Sequence, residues 1–414
     1  MDAQEAVAHL RSPATIRERC RRVYEAARSD RLEHFRLVPE RLPDAVETVV
    51  AEIRKNYPAL DIPYHSRWRH FVIDRVDHAT PVLRPRVETD ARERLRVQFE
   101  LAVTSVLLDA GAGAGWCFQN PLDRRSHGRS EGLALASFYL FADGAFSSNP
   151  DHPFRADAEG LRNFSADKLA EGFQVSADNP LVGLEKRAEL LRKLGEALTT
   201  RPSQFGGAPA RIGDLADWFW GEATPNDQGT RSLPAAVILR VLLDSFSSIW
   251  PSRLEIDGQP LGDVWRYPMV QTNDLTNGLI PFHKLSQWLA YSLVEPLEES
   301  GLRIVELDAL TGLPEYRNGG LFVDLGVLEP KHPEVLETVH SVDSEAIVEW
   351  RALTVCLLDE IAKGVRAELG CTPETLPLSR ILQGGTWSAG RALAQAKRPG
   401  GVPPIQIESD GTVF

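Results

Sequence analysis

The sequence predicts a mostly α, multi-helix globular fold with a few short strands. Apolar residues recur at helical spacing in segment after segment, while strand-like runs are confined to two short stretches. The composition is that of an ordinary globular chain, 43% hydrophobic and 25% charged. At 414 residues the chain exceeds a usual single domain. Two helical lobes are therefore expected, residues 1–205 and a second lobe, 206–397, packed on it, with 398–414 as an extended tail.

Leu42, Val46, Val49, Val50 and Ile53 mark one apolar helix face. Leu95, Phe99, Ala102, Val103, Val106 and Leu107 mark another, which stops at the run Ala110-Gly111-Ala112-Gly113-Ala114-Gly115. Ser130 is expected to cap a helix carrying Leu133, Phe138 and Leu140. Further helices are expected over Leu184 to Leu198, Pro234 to Phe246, Pro281 to Ser300 and Ser344 to Leu369. Pro281 suits a first helical position, Pro296 should kink or end that helix, and Gly301 should stop it. The strand candidates are Arg303 to Leu307 and Gly320 to Val323. Loops are expected near Asn120 to His127, Asn149 to Asp157, Thr200 to Arg211 and Pro251 to Gly262. From Arg398 the chain should form a tail or a strap over the body.

A net charge of −12 argues against a surface that coats nucleic acid, which needs an excess of Lys and Arg. The basic run from Arg17 to Arg36 is broken by Glu18, Glu25, Asp30 and Glu33 and reads as a solvated helix face. No stretch is apolar enough for a membrane span. The four cysteines form no CxxC pair, and Cys356 should be a small buried hydrophobe. Met1 to Glu5 lacks a signal-peptide layout, so a cytoplasmic, reducing setting is expected.

Metalloprotease, P-loop, dinucleotide and nucleophile-elbow motifs are absent. His65 and His70 are spaced badly for a metal pair on one helix face, so no metal site and no cofactor is expected. Asp109 ends an apolar helix, where the dipole disfavours its charge, and glycines and Trp116 follow. It reads equally as an acid–base residue beside a stacking indole or as the cap of a turn. Arg129, Ser130 and Glu131 open the next helix: the serine and the glutamate suit capping, and Arg129 suits an anion. His283 and Gln287 share one helix face, Lys284 and Trp288 the neighbouring one, as pocket lining or as exposed polar residues around a half-buried Trp. Glu315, Tyr316 and Arg317, before Gly319-Gly320, make the densest set of reactive side chains, an active-site loop or a surface ion pair in a turn. Trp387 and Arg391, after Gly384-Gly385, sit where a helix N-terminus would make an anion site.

The stretches HSRWRHF, LLDAGAGAGW, GRSEGLALASF, GAFSS, EGFQVSADNPLVGLEKRAELLRKLG, PFHKLSQWLAYSLVEPLEE, LTGLPEYRNGGLFVD and GGTWSAGRA follow one another over nearly the whole chain. They resemble a fungal and bacterial family, domain of unknown function 1688, associated with uracil catabolism. The resemblance implies a pathway that opens the uracil ring at the nucleotide or nucleoside level and passes through a ribosylurea-type compound to urea. A second, fainter resemblance, through LLDAGAGAGW, NPLVGLEKRAELLRKLG, LTGLPEYR and VEWRALTVCLLDEI, is to the queuosine-nucleotide salvage N-glycosidases. It implies a DNA-glycosylase-like helical core. Their Asp-Tyr-Arg substrate motif falls on Glu315-Tyr316-Arg317, their catalytic Asp on Ser388 after Trp387, and an upstream Asp on Gln383. These departures leave Glu315 as the retained carboxylate.

The expectation is a hydrolase that cleaves the C–N bond between ribose and a urea-like or base fragment of a small-molecule substrate. A carboxylate would stabilise the oxocarbenium-like state while water attacks. Glu315 takes that role first, with Asp109 and Glu131 in reserve. Arg129, Arg317 and Arg391 would hold a phosphate or ribose, and Trp116 or Trp387 would stack on a planar group. Ser130, His283, Lys284, Gln287 and Tyr316 would complete the binding set. A metal-dependent ring-opening amidohydrolase and a non-catalytic binding partner of the same pathway are the alternatives.

Overall fold

The computed structural model describes residues 1–87, 90–113, 115–225, 229–250 and 253–408, the side chains of 84–87 excepted. Ala114 of the small-residue run, Pro251 of one expected loop and the chain beyond 408 lie outside them. The fold is mostly α. Its longer helices are α1 (Pro13–Arg28), α2 (Leu42–Asn56), α3 (Ala91–Leu107), α4 (Arg129–Ala142), α5 (Leu184–Thr200), α6 (Ala235–Phe246), α7 (Lys284–Glu299), α8 (Tyr316–Asp324), α9 (Glu345–Leu369) and α10 (Trp387–Lys397). Among the described residues, strands pair only in twos and threes, and no helix is long and apolar enough to cross a membrane.

The chain divides into two compact units, each assembled from separated stretches. Unit one comprises Met1–His65, Ser252–Gln287 and Glu306–Glu408; unit two includes Ser66–Pro251 and Trp288–Val305. In unit one, α9 is the central helix, with α1, α2 and α8 against it. Trp350, Leu353, Leu357, Ile361 and Val365 are buried along its length. α8 and α10 cross so closely that a Cβ on Gly390 would lie 2.2 Å from the Arg317 carbonyl oxygen. A π-helical turn, Leu382–Thr386, precedes α10 and packs on α2. Strand Gln406–Ile407 runs parallel to Val339–His340.

Unit two is built on α3, α4 and α5, with Phe99, Val103, Leu133, Phe138, Leu191 and Leu194 buried. The fully buried Arg187 donates to the carbonyls of Leu108 at 2.5 Å and of Ala110 and Gly111 at 2.7 Å, beyond the C-terminus of α3. A cation there satisfies acceptors that the helix itself leaves open. Strand Arg303–Val305, predicted from sequence, runs parallel to Arg231–Pro234.

Several helix ends and one element differ from expectation, each for a local reason. α7 begins at Lys284, because Pro281 belongs to strand Leu279–Pro281, paired with Val264–Arg266. It runs through Pro296 to Glu299. α4 begins at Arg129, with Gly128 in the capping position; the Ser130 hydroxyl turns to Asp109 at 3.2 Å instead of capping. Gly320 to Val323 is helix, not strand, because Glu315 caps the segment and nucleates α8.

Candidate active site

Unit one gathers a set of polar side chains at the start of α7, and Asp263 organises that point. Asp263 Oδ2 accepts the Lys284 N–H at 2.9 Å, and Oδ1 accepts the Trp265 indole N–H at 2.6 Å. A carboxylate from another part of the chain thus caps the helix. Arg351 of α9 grips the same carboxylate bidentately, 2.8 Å to each oxygen. Burial alone would raise the Asp263 carboxyl, but the Arg351 guanidinium outweighs it and holds the group well below the usual carboxylate range. His283 leads into the helix with a left-handed φ of 48°. Its Nε2 donates to the Leu10 carbonyl at 3.0 Å, and burial lowers its pKa to about 4. Gln287 donates to Phe282 O at 3.1 Å and accepts the Thr311 N–H at 2.7 Å. Both side chains brace the Phe282–Thr311 turns.

Glu315 occupies the N-cap of α8. Its carboxylate accepts the Arg317 N–H at 2.7 Å and the Asn318 N–H at 2.6 Å. Burial raises its pKa, against the pull of those two N–H groups and of the charges on Lys284 and Arg317. Arg317 reaches away, donating from Nη1 to Gly401 O at 3.2 Å with its guanidinium 5.0 Å from the Tyr316 ring centroid. Asn318 accepts the Thr386 hydroxyl at 2.8 Å, tying α8 to the π-turn.

That turn carries Gln383, whose Oε1 lies 2.9 Å from His65 Nδ1. His65 is 4% exposed, its N–H donates to Ser379 O at 3.0 Å, and its ring centroid is 5.9 Å from that of Trp387. Burial lowers its pKa to about 4, with the Lys284 charge adding to the effect. Arg391 lies over the Trp387 ring at 5.4 Å. The Lys284 charge acts on both His65 and Glu315, and His65 in turn bonds to Gln383 and packs against Trp387. A carboxylate, an ammonium group, a neutral imidazole and an indole are group types that can stabilise a developing cation, move a proton and stack on a planar group.

Unit two holds a second cluster. Arg67, fully buried, donates from Nη1 to Asp109 Oδ1 at 2.6 Å and from Nε to Ser105 Oγ at 2.6 Å. Ser105 and Ser137 continue the network at 2.6 Å, and the Ser130 hydroxyl donates to Asp109 Oδ2 at 3.2 Å. Glu131 lies close enough for its charge to act on Arg67, whose pKa burial lowers and Asp109 partly restores. The Arg67 guanidinium sits 5.6 Å from the Trp288 ring centroid and 5.9 Å from that of Phe71. Arg129 begins α4 with a left-handed φ of 54° and is exposed. Trp116 is buried, packs against Gly132 and donates to Phe173 O at 2.9 Å.

The candidates read from sequence thus fall into two groups. Glu315, Tyr316, Arg317, His283, Lys284, Gln287, Trp387 and Arg391 lie in unit one; Asp109, Glu131, Arg129, Ser130 and Trp116 lie in unit two. Sequence reasoning passed over Asp263, Arg351 and Arg67, named Gln383 only as a departure from the glycosidase motif, and weighed His65 only as a metal ligand. Gln383 is 318 positions from His65, and Asp263 is 88 from Arg351, so no local spacing pairs them. The one signal available was two arginines and two histidines inside a short run with Trp68 and Phe71, His65 to Phe71. Among the described residues, no group of three or more His, Cys, Asp or Glu is arranged to hold a metal ion.

Comparison with known proteins places the chain in a family. The chain is 39% identical to "Protein urg3" of Schizosaccharomyces pombe over 418 aligned residues, 99% of each chain. It is 36% identical to "Uracil catabolism protein 4" of Lachancea kluyveri over 444 aligned residues, 100% of each. The family described as "Protein of unknown function (DUF1688)" matches residues 9–414, and the chain belongs to it.

Proposed function

We propose that this chain acts in uracil catabolism as a hydrolase, cleaving the C–N bond between ribose and a urea-like or base fragment. The observation that carries the reading is Glu315: a half-buried carboxylate, fixed by two peptide N–H groups, in reach of the Lys284 charge. The pathway assignment draws on the full-length relative named as a uracil catabolism protein.

C–N cleavage at an anomeric carbon builds positive charge on the sugar, and a carboxylate fixed beforehand lowers the cost of that charge. Glu315 has the required rigidity, because both oxygens are already engaged by its own helix. Trp387 supplies a face for the planar ureido or base fragment, and Arg391 and Lys284 supply cations for a phosphate or ribose oxygens. The test is to incubate the purified protein with ribosylurea, its 5′-phosphate, uracil, uridine and UMP and to identify the products. Release of urea or free base, lost in Glu315→Gln, supports the hydrolase. Binding without turnover points to a non-catalytic partner, and turnover that requires a bound metal points to ring opening.

A further inference from the structure

Arg351 does more in unit one than offset the charge of Asp263. Its side chain, on α9, is 1% exposed, and its guanidinium reaches two separate elements. Nη1 and Nη2 grip Asp263, whose Oδ2 also accepts the Lys284 N–H at the start of α7. The main-chain oxygen of Asp263 accepts the Phe282 and His283 N–H groups at 2.9 and 3.3 Å, so the approach to α7 is attached to this one residue. Nε of Arg351 donates instead to the carbonyl of Pro314 at 3.4 Å, the peptide immediately ahead of Glu315. The guanidinium also lies 4.2 Å from the Phe282 ring centroid. The preceding residue, Trp350, donates its indole N–H to Gly319 O at 3.1 Å, so α9 holds the segment of α8 at two points. One planar cation thus joins the element that carries Lys284 to the element that carries Glu315. An ammonium group, a point charge with no fixed fork, could not hold both. Gln287, bonded to Phe282 O and to the Thr311 N–H, makes a second link between the same segments.

We propose that Arg351 is a positioning residue of the reaction, fixing the start of α7, with Lys284, against the start of α8, with Glu315. This rests on the hydrolase reading, in which Glu315 must stay charged to stabilise the sugar cation. Arg351 acts through Lys284. Burial raises the Glu315 pKa; the Arg317 and Asn318 N–H groups and the charges of Lys284 and Arg317 oppose it. Of those two cations, Arg317 belongs to the same helix as Glu315, whereas Lys284 belongs to α7 and depends on how α7 is held. His65, lowered to about 4 by burial, is uncharged near neutrality and leaves that balance alone. If α7 shifts, the Lys284 contribution falls and Glu315 takes up its proton at higher pH. Asp263 offsets the charge of Arg351, so what Arg351 supplies to Glu315 is geometry.

The test compares the full-length wild type with Lys284→Met, Arg351→Lys and the double variant. Carbon-13 NMR of the Glu315 carboxyl, assigned by its loss in Glu315→Gln, follows the titration without any turnover. Lys284→Met should move that titration to higher pH. Arg351→Lys keeps the charge but loses the fork, and should move it the same way; in the Lys284→Met background it should add nothing further. In kinetics, Arg351→Lys should lower kcat about tenfold or more and move the acid limb of kcat/KM to higher pH, which a loss of stability alone does not do. An Arg351→Lys titration that coincides with the wild type overturns the proposal, as does an effect undiminished in the Lys284→Met background. An unmoved titration in Lys284→Met also overturns it, and needs no substitution at Arg351. A wild type that releases neither urea nor base from any substrate overturns the hydrolase reading and the role in its reaction together. A failed titration in an active enzyme overturns the positioning role alone.

Discussion

Glu315 in unit one and Asp109 in unit two are both carboxylates at a helix end, held by opposite means. Glu315 sits at an N-terminus and takes two peptide N–H bonds from its own helix. Asp109 follows a C-terminus, where the dipole is unfavourable, and takes the guanidinium of Arg67 at 2.6 Å. Peptide N–H groups fix a carboxylate without cancelling its charge, so the charge can still serve chemistry. A buried guanidinium offsets that charge within the pair. Asp263 and Arg351 repeat the second arrangement inside unit one, with Asp263 bonded to the Lys284 N–H.

Substitutions should break along that line. The largest stability loss is expected where a buried pair loses one member: Asp109→Ala and Asp263→Ala should each cost about 3–5 kcal/mol, read from urea unfolding midpoints. Replacing both members, Arg67→Met with Asp109→Leu, should recover most of that loss. A double variant as unstable as the single one would mean that the charge itself is required. Glu315→Gln should behave oppositely. Stability should fall by about 1 kcal/mol, as for a weakened cap, while turnover falls by about 10²–10³-fold.

Acid sensitivity separates unit one further. His65 and His283 both titrate near 4 when folded, against about 6.5 unfolded. Between those values the unfolded chain binds more protons, so their contribution is complete above about pH 6.5 and is lost as pH falls towards 4. Each contributes at most about 3 kcal/mol. Glu349, buried and bonded to Tyr267 at 3.0 Å, is raised to about 7 by burial and has the opposite sign. Its stabilising effect is complete below about pH 4.5 and is lost as pH rises to 7. Glu349→Gln should therefore make stability rise more steeply over pH 4.5–7 than in the wild type, and His283→Gln less steeply. The smallest effect is expected for Ser130→Ala, about 1 kcal/mol, since it removes one hydrogen bond to Asp109 and leaves the ion pair.

Helices such as α2, α3 and α9 were legible because their apolar faces repeat locally, and burial follows that pattern. The segment 320–323 was not: a short apolar run beside two glycines reads as a strand until Glu315 is seen to cap it as helix. At the site, Glu315, Lys284 and Trp387 could be picked out because their residue types are informative in a short window. Their organisers could not. Asp263 caps a helix twenty-one positions away, and His65 bonds to Gln383 across 318 positions. Ser130 was misread as a cap for the same reason, because Asp109, twenty-one positions back, competes for its hydroxyl.

The most direct test of the account is the rate of urea release from ribosylurea or its 5′-phosphate by wild-type protein and by folded Glu315→Gln, at equal concentration and pH 7. The account predicts release by the wild type and a loss of about 10²-fold or more in the variant. Equal rates from the two proteins would contradict it.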